Sequence, residues 1–407
     1  MGPAMKIAIR SHLYPPLGIG GAERSVQYLA EALVHRGHDV LVITSNAGLG
    51  TRRETVRGVR VVRLGAAPGY GPDIFDRPTL QRALLRRLFR RWKPKYPKRV
   101  LEEVQKFQAD VVHTNTGAAL VETWQICRDA GYAVVHTLRN PNLLCDRRMF
   151  AEGRSCERQC DRCSARHGSK RRGCSIPHAV VGISDFILQK HLTHDYFSEV
   201  RVRRVVPNSY ESSAPPNAAT HPPDGSRVRF GFLGRLHRTK GIEELLIGMR
   251  QLEMDAILLV GGTGNPGYVK RLRAMAGPNV QFLDFVDSQE FLRKIDILVV
   301  PSVWEEPFGR VYAEAMCHGK PIVGSIYGAG PELVKPDVTG WLCDPLDPES
   351  LLAALRRAQE DIKAFGAEER LRENCLSAAA RFSPDIVAAQ YEEVYEMARS
   401  QAGALLS

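Results

Sequence analysis

The most constraining stretch is Pro301-Ser302-Val303-Trp304-Glu305-Glu306-Pro307-Phe308-Gly309-Arg310-Val311-Tyr312-Ala313-Glu314-Ala315-Met316. It follows Asp296-Ile297-Leu298-Val299-Val300, an apolar run that reads as a buried strand. Pro301 and Ser302 end that strand, and Gly309 to Cys317 reads as a short helix closed by Gly319. A strand, a loop and a helix N-terminus in this order present unpaired N–H groups and a positive dipole end to an anion. Glu306 and Glu314, with seven residues between them, bracket that turn. A ligand that is both a phosphate and a polyol suits the pair, with phosphate on the amides of Gly309 to Val311 and hydroxyls on the carboxylates. The plainer reading is an ordinary helix connection with surface acids.

Further segments follow in a fixed order. Downstream come Gly319-Lys320-Pro321-Ile322-Val323-Gly324, then Gly328-Ala329-Gly330-Pro331-Glu332-Leu333-Val334, then Thr339-Gly340-Trp341-Leu342. Upstream, Arg229-Phe230-Gly231-Phe232-Leu233-Gly234-Arg235 precedes Lys240-Gly241 and a helix. The ordered set resembles the donor site of family 4 glycosyltransferases. The resemblance covers nearly the whole chain, most closely from 229 to 345. It implies an α/β protein of the GT-B fold, with two Rossmann-like domains facing across a cleft and a C-terminal helix crossing back to the first domain.

The same resemblance implies a retaining glycosyltransferase that moves a sugar from a nucleoside-diphosphate sugar to an acceptor hydroxyl, in glycan, polysaccharide or cell-envelope glycoconjugate synthesis. Arg235 and Lys240 would hold the diphosphate, Glu306 the donor sugar and Glu314 the ribose hydroxyls. Arg235, Lys240 and Glu306 are thus the candidate catalytic residues. Gly234, Gly262, Val286, Phe308, Gly309, Arg310 and Val311 would complete the donor site. In this family the leaving phosphate is thought to deprotonate the acceptor on the same face, so no cofactor or metal is required for the chemistry. Fixed cations aimed at the departing diphosphate would stabilise the charge it gains. Two other functions fit the same motifs: a nucleotide-sugar epimerase or hydrolase, which needs no acceptor, and a non-catalytic GT-B-like binding protein.

The N-terminal half opens with a strand at Lys6 to Arg10, a Gly-rich loop and a helix from Ala22 to His35. The glycines spell G-x-G-G rather than the dinucleotide fingerprint, which weighs against NAD. By resemblance, Gly20, Gly21 and Glu23 line the acceptor side, although a tight turn would also require glycine. Asp110-Val111-Val112-His113 and Ala133-Val134-Val135-His136-Thr137 read as buried strands. Their C-terminal ends point His113, Asn115, His136 and Arg139 toward a common cleft. Relatives carry Thr-x-His-Asp where this chain has Thr137-Leu138-Arg139-Asn140, so Arg139 replaces the usual histidine. Arg139 then suits an anionic group on donor or acceptor.

The expected domains are 5–208 for the acceptor side, a Pro-rich linker at 209–226, a donor domain at 227–382 and a returning helix at 383–400. Two segments stand apart from the motifs. Residues 82–99, within a helix expected over 80–107, carry nine Lys and Arg with no acid, interleaved with Leu84, Leu85, Leu88, Phe89 and Trp92. This is either an interfacial helix for an anionic membrane and a lipid-linked acceptor, or a solvated face on a packed helix. With a net charge of +11, the chain favours anionic partners, but no nucleic-acid module accompanies the basic stretch. The second segment, 145–174, holds Cys145, Cys156, Cys160, Cys163 and Cys174. Any four could hold a structural zinc, with His167 to spare; an iron–sulfur cluster is the second choice, and free or disulfide-prone thiols the plain reading. No run of about eighteen apolar residues exists, and Met1-Gly2-Pro3-Ala4 lacks a signal core. A cytoplasmic enzyme, peripheral on the inner face of the membrane if the basic stretch docks, is the expectation.

Overall fold

The computed structural model describes residues 3–17, 20–66, 95–116, 119–147, 149–151, 153–211, 227–252, 256–364 and 366–404. Most of the basic stretch and most of the Pro-rich segment lie outside these residues.

The N-terminal sheet has seven strands in the order β3-β2-β1-β4-β5-β8-β9. They are β1 (Lys6–Arg10), β2 (Asp39–Val56), β3 (Val59–Ala66), β4 (Val111–Thr114), β5 (Ala133–Leu138), β8 (Ala179–Gly182) and β9 (Val202–Val205). All pairings are parallel except β2 with β3. Helices α1 (Gly21–His35), α2 (Lys95–Phe107), α3 (Leu120–Asp129), α4 (Asp161–Arg172) and α5 (Asp185–Leu192) connect them. A small hairpin of β6 (Phe150–Ala151) and β7 (Arg154–Ser155) stands apart.

The second sheet is all parallel, in the order β12-β11-β10-β13-β14-β15. Its strands are β10 (Val228–Leu233), β11 (Ala256–Gly261), β12 (Val280–Asp284), β13 (Ile297–Val300), β14 (Ile322–Ser325) and β15 (Gly340–Cys343). Its helices are α6 (Ile242–Met249), α7 (Pro266–Met275), α8 (Ser288–Arg293), α9 (Arg310–Cys317), α10 (Gly330–Leu333), α11 (Pro348–Lys363) and α12 (Ala367–Ala379). In both sheets the chain reverses direction beside the first strand, β1 or β10. A crevice opens there at the C-terminal ends of the strands, which is where such sheets take ligands. Strands such as Val111–Thr114 and Ile297–Val300 are buried along their whole length, because helices cover both faces.

Two features depart from the sequence reading. The strand expected at Asp39 to Thr44 runs on to Val56 and returns as β3, with Arg57 and Gly58 both at positive φ. That is the turn whose twist matches a hairpin; Gly58 suits it, while Arg57 is not one of the residues that usually announce it. The segment after Asn208, read as an open linker, begins packed: Ser209 and Tyr210 are buried, and the Tyr210 N–H donates to the Phe382 carbonyl at 2.9 Å.

The last helix, α13 (Pro384–Ala404), lies on the N-terminal domain. Tyr391 and Tyr395 bury their rings there, and a buried phenol needs a partner. Tyr395 shares a 2.8 Å hydrogen bond with His113 Nδ1, while Tyr391 meets Thr137 Oγ1 at 3.0 Å. At the rim, Arg36 reaches Asp385 and Glu392, and His38 reaches Glu392 at 2.8 Å.

Burial holds several histidines neutral. It lowers His136 to about 3 and both His178 and His191 to about 4. Unfolded histidines titrate near 6.5, so below that pH the unfolded chain takes up protons that the folded chain refuses. Stability should therefore be full above about pH 6.5 and fall as the pH drops toward 4, each histidine contributing up to about 1.4 kcal/mol per pH unit. Urea midpoints measured from pH 7.5 to 4.5 should show this decline, and His136→Gln should flatten it; a profile identical in both proteins would refute it.

Candidate active site

The loop after β13 is held by backbone contacts that leave no room for side chains. Gly241 has a φ of +67°, and a Cβ there would fall 1.7 Å from the Pro301 carbonyl oxygen. Gly328, with a φ of +68°, faces the Glu306 backbone so closely that a Cβ would sit 2.4 Å from both its N and its O. The Ala329 N–H donates to the Glu306 carbonyl at 2.9 Å, and the Trp304 N–H donates to the Thr239 carbonyl at 3.3 Å. Two glycine-bearing segments thus clamp the Glu306 loop from both sides.

Inside the clamp, the Lys240 ammonium donates to Glu306 Oε1, which also accepts from the Ser302 hydroxyl at 3.0 Å. Glu306 is 7% exposed, so its carboxylate depends on these partners. Gly309 precedes α9 in the left-handed region, and no side chain caps that helix. Arg235 is exposed at the end of β10. Gly262 approaches Gly234 so closely that a Cβ would lie 1.8 Å from the Gly234 carbonyl oxygen. The two loops therefore run side by side, and Gly262, Lys270, Arg273 and Asp284 line an open pocket of about 390 Å³. Val286 is half-buried against Gly261.

Glu314 lies one helical turn inside α9 and accepts from Arg310 at 3.0 Å. Arg310 also spans the cleft: its Nη1 donates to the Gly21 carbonyl at 3.3 Å, and its guanidinium lies near the rings of Tyr28 and Tyr210. The sequence reading credited Arg310 only with its backbone amide and missed this side-chain bridge; its spacing of four from Glu314 was the available signal. Across from it, Gly20 stands at the N-cap of α1 and Gly21 and Glu23 in its first turn, with the Glu23 carboxylate folded over Gly20. Phe308 is buried edge-on to Phe382, with ring centroids 5.7 Å apart, so it supports the loop from behind.

The histidines expected at the cleft are core residues. His113 is fully buried between Tyr395 and Thr137, and burial holds it well below the ordinary histidine range. His136 binds Thr114 Oγ1 at 2.9 Å and stacks on Phe197, with Trp124 edge-on. Both lie on the strands themselves, whose side chains are covered by helices on either face. Arg139, one residue past β5, is 8% exposed and donates to Asn115 at 2.7 Å and Asn208 at 2.5 Å. Glu23 and Arg310 are near enough to influence its charge. Arg139 is thus a buried cation just past β5, held by two amides. Among the described residues, no three His, Cys, Asp or Glu side chains are ready-placed to hold a metal ion.

The profile described as Glycosyltransferase Family 4 matches residues 19–209, and that described as Glycosyl transferases group 1 matches residues 227–361. The chain belongs to the family 4 glycosyltransferases of the GT-B fold. A glycosyltransferase of Methanocaldococcus jannaschii is 28% identical over 98% of this chain and 100% of its own length. A glycogen synthase of Mycobacterium tuberculosis is 26% identical over 97% of this chain and 95% of its own. Sucrose-phosphate synthase from Thermosynechococcus elongatus superposes with a TM-score of 0.71 at 21% identity, covering 96% of this chain and 98% of that one. Anabaena HepE, solved with UDP and glucose, gives 0.68 at 19% identity over 96% and 99% of the two chains. No helix among the described residues is long and apolar enough to cross a membrane.

The clamp on Glu306 is directly testable. Gly328→Ala forces a Cβ into the Glu306 backbone and should lower stability by about 1–3 kcal/mol. Gly403→Ala, with nothing within 4 Å of its Cβ, should be neutral or mildly stabilising. Equal urea midpoints for the two variants would contradict the clamp.

Proposed function

We propose that this glycosyltransferase takes its sugar from a nucleoside diphosphate and transfers it to an acceptor hydroxyl with retention at the anomeric carbon. The observation that carries the reading is the Lys240–Glu306 pair beside the uncapped start of α9, with Glu314 one turn further along. Lys240, Arg235 and the amides at Gly309 to Val311 would receive the diphosphate, and Gly234 and Gly262 would let backbone approach it. Glu306 would take donor-sugar hydroxyls, and Glu314 would exchange Arg310 for the ribose. Val286 and the pocket edge near Gly262 would border the base.

In the transfer, the bond from the anomeric carbon to the phosphate oxygen breaks and the acceptor oxygen bonds to the same face. The acceptor proton passes to the departing phosphate. Arg235 and Lys240 would be catalytic by stabilising the charge gained by that phosphate; hydrogen bonds to a charged group contribute about 1.5–3 kcal/mol each. Gly20, Gly21, Glu23 and Arg139 would face the acceptor from the opposite wall, Arg139 suiting one that carries an anionic group. Relatives solved with UDP and glucose, and others named for sucrose phosphate or glycogen synthesis, support a nucleotide-sugar donor and a sugar acceptor. A 42.6 kDa Klebsiella pneumoniae protein of the cps region is 28% identical over 81% of this chain and 88% of its own, in keeping with a polysaccharide setting.

The test is a thermal-shift panel of UDP, GDP, ADP and their sugar conjugates on the wild type, Arg235→Ala and Glu314→Ala. A ligand at a hundredfold excess over its Kd should add about 2.7 kcal/mol of stability. One base should stabilise the wild type and fail on both variants. Equal stabilisation of all three proteins, or none with the wild type folded, would sink the donor-site reading.

A further inference from the structure

The Cys-rich segment takes no part in the chemistry above, yet its thiols meet. Cys145 follows the turn after β5, Cys156 closes the β6–β7 hairpin, Cys160 caps α4 and Cys163 lies in its first turn. Cys163 Sγ donates to Cys145 Sγ at 3.4 Å. Cys160 is hydrogen-bonded by both the backbone and the side chain of Cys163. Cys156 is near enough to Cys145 and Cys160 to feel their charge. Two separate stretches of chain therefore bring Cys145 and Cys163 into contact, with Cys160 at the start of the same helix and Cys156 four residues before it. Cys174 does not join them, because its thiol donates to the Lys170 carbonyl at 3.2 Å.

We propose that Cys145, Cys156, Cys160 and Cys163 bind one Zn²⁺ as a tetrahedral four-thiolate site. The Zn–S distance of about 2.3 Å puts sulfurs about 3.8 Å apart in such a site. The Cys145–Cys163 separation must widen by only about 0.4 Å to meet it, whereas a disulfide, at about 2.05 Å, needs a closure of about 1.3 Å. As the thiols stand they do not yet enclose an ion. Binding releases four thiol protons to solvent, breaks the S–H···S contact and leaves a centre of net charge −2.

The surroundings suit that charge. The Arg147 N–H donates to Cys145 Sγ at 3.3 Å, and the N–H groups of Arg162 and Cys163 point at Cys160. The N-terminal end of α4 adds its dipole. The same segment also touches the donor side. The Glu305 N–H donates to Ser155 Oγ at 3.0 Å, and Lys190 Nζ bridges the Cys156 carbonyl at 3.1 Å and the Glu305 carboxylate at 2.9 Å. The metal thus staples a hairpin that buttresses the loop bearing Glu306.

The test is metal analysis and zinc X-ray absorption on the intact wild-type chain, purified without chelator from zinc-containing medium. The expected result is about one zinc per chain with four sulfurs at about 2.3 Å. Cys160→Ser and Cys163→Ser should lose most of that zinc, while Cys174→Ser and His167→Gln should keep it. The wild-type measurement stands even if a variant fails to fold. Wild type without zinc, iron in its place, a Cys145–Cys163 disulfide by mass spectrometry, or zinc lost equally from Cys174→Ser would overturn the assignment. None of these outcomes depends on whether the donor site binds a nucleotide sugar.

Discussion

The Lys240–Glu306 pair is the interaction on which the site depends. The carboxylate could not be placed alone: Glu306 is buried and an unpaired buried carboxylate is costly, while Lys240 keeps part of its surface in solvent. The fold prepares the pair by bringing two chain segments against one another through glycine. Gly241 admits the Pro301 carbonyl, and Gly328 admits the Glu306 backbone. The cation and the carboxylate are therefore set by main-chain packing in the donor domain, with little left to side-chain choice. A preorganised charge of this kind needs no rearrangement at the moment of reaction.

The two domains meet through polar groups as well as through a continuous core. The Glu332 carboxylate accepts from the Asp185 and Phe186 N–H groups, so the donor domain caps a helix of the other domain. The Ser184 hydroxyl donates to the Pro307 carbonyl at 2.5 Å, one residue from Glu306. Arg310 completes the set by joining Glu314 to Gly21. The Pro307 and Arg310 contacts end on the loop and the helix that carry candidate donor ligands. Domain position and donor-site geometry are thus mechanically linked, as expected of an enzyme that must exclude water around an activated sugar.

Much of this was legible in the chain. The strand, loop and helix around Glu306 and Glu314 have a period and punctuation that leave one arrangement, whereas Arg235 and Lys240 were picked out through the family resemblance. The histidines misled for a physical reason. A strand end near a crevice looks the same in sequence whether its side chain faces ligand or core, and the partners that settle it for His113 lie some 280 residues away on α13. The Arg310 bridge was hidden likewise, because the Gly21 carbonyl that receives it belongs to the other domain. The contact of Cys145 with Cys163 is also a tertiary fact, and so is the separation of Cys174, whose buried thiol turns to the Lys170 carbonyl.

On this reading the Lys240–Glu306 clamp and Glu314 form one donor site. The most direct measurement is a crystal structure of the chain soaked with an intact nucleoside-diphosphate sugar. The expected result is the diphosphate on Arg235, Lys240 and the start of α9, the sugar at Glu306, and the ribose hydroxyls on Glu314 with Arg310 displaced. A nucleotide bound elsewhere, or Arg310 still seated on Glu314 beneath a bound donor, would contradict it.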